Sequence, residues 1–107
     1  MSGFRLHPEA YNDIDELWEF IARDSVNAAD RVRAKIYERL QKLVKSPHQG
    51  HYRRDLTSQA LRFIHVYDYL IAYAPKERPL WVIAVIHGSR SPRVMAAILR
   101  GREEPPN

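Results

Sequence analysis

Leu80-Trp81-Val82-Ile83-Ala84-Val85-Ile86-His87 decides the fold. Its first seven residues are apolar at both alternating sets of positions, so a strand built on them needs cover on both faces. Immediately upstream, Leu61–Val66 and Tyr69–Ala74 are dense in β-branched and aromatic residues and predict two more strands. Pro75-Lys76-Glu77-Arg78-Pro79 is a short connector, which makes the last two strands an antiparallel hairpin. Downstream, Ser91-Pro92 starts a helix, Val94, Met95, Ile98 and Leu99 give it an apolar face, and Gly101 ends it. That helix can supply one cover; failing it, a partner must.

The other cover comes from the first half of the chain. Gly3–His7 suits a short strand, and Pro8 followed by Glu9 suits the first turn of a helix. Ala10, Ile14, Leu17, Trp18 and Ile21 recur at helical spacing, and the helix should stop near Asp24. Ser25 can cap a second helix to about Lys45, whose apolar stripe reads Ala29, Val32, Ile36, Leu40 and Leu43. So tight a junction predicts a helical hairpin. A polar break with Pro47 and Gly50 fills Ser46–Gln59. The expected fold class is α+β. A small antiparallel sheet packs on an N-terminal helical hairpin, in β-α-α-β-β-β order with a short C-terminal helix.

The chain has 107 residues, about one domain's worth, so one domain over residues 1–107 with a frayed tail at 103–107 is expected. It lacks cysteine, which excludes a disulfide scaffold or a thiolate metal site and fits a reducing compartment. No apolar run approaches the ~18 residues of a membrane span. Met1-Ser2-Gly3-Phe4-Arg5 also lacks a signal peptide's apolar stretch. A soluble cytoplasmic protein with no membrane partner is the expectation.

The net charge is +4 and unevenly spread. Residues 1–45 carry eight basic and eight acidic side chains, whereas residues 46–102 carry nine basic against three acidic. Four of the five histidines also lie in that second part. Such asymmetry suggests an anionic partner, although a basic surface also aids solubility. Arginine outnumbers lysine thirteen to four, and its planar fork suits phosphate and carboxylate.

Few residues carry chemistry. His48 and His51 stand three apart in a loop with Asp55 as the nearby acid, too small a ligand set for a metal site. The glycines are too scattered for a phosphate loop, and no cofactor is expected. His87-Gly88-Ser89-Arg90 is more informative, because it ends the most apolar strand and precedes a helix start that favours anions. His87 suits proton transfer near neutral pH, and Arg90 suits phosphate. Arg62 points opposite to Leu61 and Phe63 and shares a face with Ile64 and Val66. An arginine among aromatics reads first as a cation–π or core-edge contact, ahead of a catalyst. Arg53 and Arg54 precede it in a solvated loop, and Arg93 follows in the last helix. RNA cleavage through the 2′-hydroxyl needs a base, an acid and cationic charge stabilisation. His87, Arg62 and Arg90 are the catalytic candidates under that reading. The second proton-transfer group stays open among Asp55, Tyr67 and Tyr69.

The order of elements and several strings resemble the RelE/ParE superfamily of toxins from bacterial type II toxin–antitoxin modules. These strings are Leu6-His7-Pro8-Glu9-Ala10, Asp13-Ile14-Asp15-Glu16-Leu17-Trp18, Ala28-Ala29-Asp30-Arg31-Val32, Leu61-Arg62-Phe63, Tyr69-Leu70-Ile71-Ala72-Tyr73 and Val85-Ile86-His87-Gly88-Ser89-Arg90. The resemblance implies a toxin neutralised by a cognate antitoxin whose C-terminal segment wraps the hairpin and sheet. The long hairpin and a following loop without lysine look more like the ParE branch, known for poisoning DNA gyrase and for plasmid stabilisation. The RelE branch cuts mRNA on the ribosome. Arg62 and Arg90 match its cationic places in kind, but the loop offers only Arg53 and Arg54. A gyrase inhibitor is therefore the first expectation, with Arg53, Arg54, Arg62, Arg90 and Arg93 as target-binding residues. A ribosome-dependent endoribonuclease comes second, and a basic nucleic-acid-binding module third.

Overall fold

The computed structural model describes residues 3–102. The elements run β1 (Phe4–Leu6), α1 (Pro8–Ala22), α2 (Val26–Lys45), β2 (Arg62–Val66), β3 (Tyr69–Ala74), β4 (Leu80–His87) and α3 (Pro92–Arg100). The α+β expectation holds, and the tail at 103–107 lies outside the described residues. The four strands form one sheet in the order β1-β4-β3-β2. β2, β3 and β4 are antiparallel, as the short connector requires. β1 pairs parallel with β4, Phe4 opposite Leu80 and Leu6 opposite Val82, so the sheet is mixed. A parallel neighbour needs a long crossover, and everything from α1 to β3 serves as one.

Both helices of the hairpin begin on a side-chain cap. His7 Nδ1 accepts the Glu9 N–H at 3.0 Å, and Ser25 Oγ accepts the Ala28 N–H at 3.1 Å. Ala10, Ile14 and Leu17 of α1 and Ile36, Leu40 and Leu43 of α2 bury against one face of the sheet. Trp18 is half-buried on α1. Its indole Nε1 donates to Asp30 Oδ1 at 2.9 Å across the hairpin, and Arg33 lies 5.3 Å from its ring centroid.

The second cover of β4 comes from the chain itself. Met95 and Leu99 of α3 and Leu56 of the long loop pack on Trp81, Ile83, Ala84 and Ile86. Two consecutive residues, Ile83 and Ala84, share that face because the register with β3 slips: Ala72 opposes Ala84, but Tyr73 opposes Val82. This bulge returns Val85 to the hairpin face beside Leu80 and Val82.

Candidate functional site

β1 is too short to cover all of β4. Its pairing ends where the His7 N–H donates to the Val82 carbonyl at 2.8 Å. Beyond that point two side chains take over the edge. Asp13 Oδ2, from α1, accepts the Val85 N–H at 3.0 Å, and Arg102 Nη1 donates to the Ile83 carbonyl at 3.2 Å. The pair also closes on itself, Arg102 Nη1 to Asp13 Oδ2 at 2.6 Å and Nη2 to Oδ1 at 3.1 Å. The Asp13 and Arg102 side chains are 17% and 13% exposed, so this fork is shielded well enough to matter for stability. It escapes a sequence reading because its halves are 89 positions apart.

Past this fork, α1, the end of β4 and α3 enclose an open groove of about 630 Å³. Leu17, Phe20 and Ile98 give it apolar walls, Asp13, Glu16 and Glu19 an acidic side, and Arg23, His87 and Arg90 a basic end. Phe20 is 65% exposed. His87 sits at the rim, its ring edge-on to Tyr69 with centroids 5.2 Å apart. Its Nδ1 accepts the Ser89 backbone N–H at 3.1 Å and lies 2.7 Å from Ser89 Oγ. Because Nδ1 is an acceptor there, the proton of the neutral ring belongs on Nε2. Burial, with help from the Asp68 charge, raises the Tyr69 phenol above its ordinary range.

The remaining arginine candidates gather at the other end of the sheet. Arg62 Nη1 donates to the Gly50 carbonyl at 2.7 Å and to the His48 carbonyl at 3.2 Å. Its guanidinium lies 4.3 Å from the Tyr52 ring centroid, and Arg54 stacks on the same ring at 4.8 Å. The cation–π reading of Arg62 is what the fold realises. Arg53 forks onto Asp55, Nε to Oδ1 at 3.0 Å and Nη2 to Oδ2 at 2.8 Å, which holds the Asp55 carboxyl below the usual carboxylate range. Tyr73, buried in β3, donates its hydroxyl to the Pro47 carbonyl at 2.7 Å and accepts the Gly50 N–H at 2.9 Å. A side chain at Gly50 would meet that hydroxyl at 2.6 Å and the Phe63 carbonyl at 2.9 Å, so only glycine fits this close approach. Arg62 and Tyr73 together tie the loop to the sheet.

The candidates thus fall into two groups. Arg62 faces Tyr73 across β2 and β3, whereas His87 faces Tyr69 across β4 and β3. Four residues of β3 put them about 13 Å apart along the strands, with two strand spacings, about 10 Å, across the sheet. His87 shares the groove with Arg90, not with Arg62. Arg53 and Arg54 stay with Arg62, and Arg93 is exposed in the first turn of α3. Of the possible second proton carriers, Tyr69 neighbours His87, and Asp55 is engaged by Arg53. Among the described residues, no three His, Cys, Asp or Glu side chains gather as a metal site would need. No described helix is long and apolar enough to cross a membrane.

A helical hairpin followed by a three-stranded meander and a short C-terminal helix is the order of elements on which the resemblance to the RelE/ParE toxin superfamily rests. Within it the particular family is also shown: the family described as the ParE toxin of the type II toxin–antitoxin system parDE matches residues 4–92, and the chain belongs to that family. Membership implies a cognate antitoxin as partner. A search of the curated proteins returns no match.

Proposed function

We propose that this toxin stops growth by binding DNA gyrase in the cytoplasm, and that its antitoxin keeps it inactive by filling the groove between α1, β4 and α3. The observation that carries the gyrase reading is that Arg62, one of the three candidate catalytic groups, stands apart from His87 and Arg90. Arg62 Nη1 donates to two loop carbonyls and its guanidinium stacks on the Tyr52 ring, at the opposite end of the sheet from His87. Phosphodiester cleavage requires cation and proton carrier around one phosphate. Family membership adds support, since it places the chain with ParE toxins. The groove suits an antitoxin segment because exposed Phe20 adjoins Leu17 and Ile98 there, between an acidic and a basic rim.

One observation favours the endoribonuclease reading: His87 has its Nδ1 fixed by Ser89 and lines the same groove as Arg90. The two readings separate in one experiment. The purified toxin is added to a gyrase supercoiling assay and to ribosome-bound mRNA. Loss of supercoiling with intact transcripts is the expected result, and His87→Ala should inhibit as wild type does. Prompt transcript cleavage with normal supercoiling, abolished by His87→Ala, would reverse the assignment.

A further inference from the structure

A second recess lies on the opposite side of the hairpin from the groove's acidic wall. Lys35, Arg39 and Lys42 are spaced by four and three residues, which puts them on one face of α2. With His65, Val66 and Tyr67 they line a cleft of about 280 Å³. The acid beside them is Glu38, whose carboxylate lies 3.7 Å from Lys35 Nζ and 3.5 Å from Lys42 Nζ. All three side chains are about half exposed, so these contacts are weak and readily exchanged for a stronger anion. Among the described residues Arg39 makes no ion pair.

The cleft opens along the outer edge of β2. His51 already takes both outward backbone groups of Phe63, N–H to carbonyl at 2.8 and 2.9 Å. Strand alternation turns the N–H and C=O of His65 outward as well, and the chain then leaves the sheet at Tyr67, which has φ 53° and is 61% exposed. One free residue is too short an edge for a peptide to add as a strand, since strands run to at least about three residues. What remains is three cations, an outward N–H and an exposed phenol around a small recess.

We infer that this cleft binds the phosphodiester backbone of a nucleic acid. Lys35 to Lys42 spans about 10 Å of helix, over which one strand of a DNA duplex presents about three phosphates, one for each cation. Three cations and an outward backbone N–H suit phosphate oxygens, contacts that hold a nucleic acid without reading its sequence. The binding is independent of which target the toxin poisons, since it is measured on the toxin alone.

Fluorescence anisotropy of the full chain tests it, with labelled duplex DNA, single-stranded RNA and polyglutamate as probes over a salt series. Wild type should bind nucleic acid with log K falling linearly in log salt. Lys35→Gln/Arg39→Gln/Lys42→Gln should weaken binding at least about tenfold and flatten the duplex slope by about 0.9 per lost contact. A control with the same charge change, Arg5→Gln/Lys76→Gln/Arg100→Gln, should keep the slope, and thermal melts of both variants confirm folding. Tighter binding of duplex or of RNA assigns the source of the phosphates. Equal losses in the two variants, or preference for polyglutamate over both nucleic acids, overturns the inference.

Discussion

The two helices of the hairpin carry opposite charge and use it differently. α1 has five acidic residues and no lysine or arginine, whereas α2 has six basic residues against Asp30 and Glu38. The helix dipole accounts for part of this, since Glu9 begins α1 and Lys42 and Lys45 end α2. It does not account for Glu19 near the end of α1 or Arg31 near the start of α2. What separates them is destination. Asp13 of α1 turns inward and completes the edge of β4, so part of the acidic helix's charge serves the fold. The cations of α2 stay on the surface, paired weakly or not at all, and are free for a partner. Charges that cancel over residues 1–45 as a sum are, in three dimensions, two differently charged sides of one hairpin.

That contrast breaks most visibly at Asp13. Asp13→Ala leaves the shielded Arg102 and the Val85 N–H without their acceptor, and should cost about 3 kcal/mol, the low end for a broken buried pair because both groups keep some solvent contact. Urea denaturation reads it directly, and a loss under 1 kcal/mol would mean the fork does not hold the edge. Ser25→Ala removes the cap of α2 and should cost about 1 kcal/mol at every pH, as seen in the same titration.

The cap of α1 behaves otherwise, because it is a histidine. Burial, reinforced by the Arg102 charge and opposed by Glu9 and Asp13, lowers the His7 pKa below its ordinary 6.5. As pH falls below about 6.5 the unfolded chain binds the proton first, so the contribution of His7 is present at neutral pH and fades as pH drops through the folded value. His7→Asn keeps a capping side chain and should flatten that dependence, by less than the roughly 1 kcal/mol of a full cap, in melts between pH 5 and 8. The smallest effect belongs to the cations of α2. Lys35→Gln/Lys42→Gln should shift stability by no more than about 0.5 kcal/mol, since each contact with Glu38 is exposed. A larger loss would show that these residues serve the fold and not a partner.

Much of the fold is legible in residue order. The apolar run from Leu80 to Ile86 announced two covers, and the stripes of α1, α2 and α3 supply them. Ser25 and Pro8 mark the helix starts they were expected to mark. The site was less legible. Arg62 carries the same letter whether it reaches for a phosphate or for the Gly50 carbonyl, and only the path of the loop decides between them. The Asp13–Arg102 fork has no local signature, and neither does the slip at Ile83 that sets which atoms of β4 face it.

Periodicity, turn residues and capping are local, acting within a few positions, so the sequence by itself determined the elements, their order and the faces the helices bury. Pairing across long separations depends on how those elements dock. The tertiary structure alone therefore decided that β1 lies parallel to β4, that His87 and Arg62 occupy opposite ends of the sheet, and that the charges cancelling over residues 1–45 stand on different sides of the hairpin.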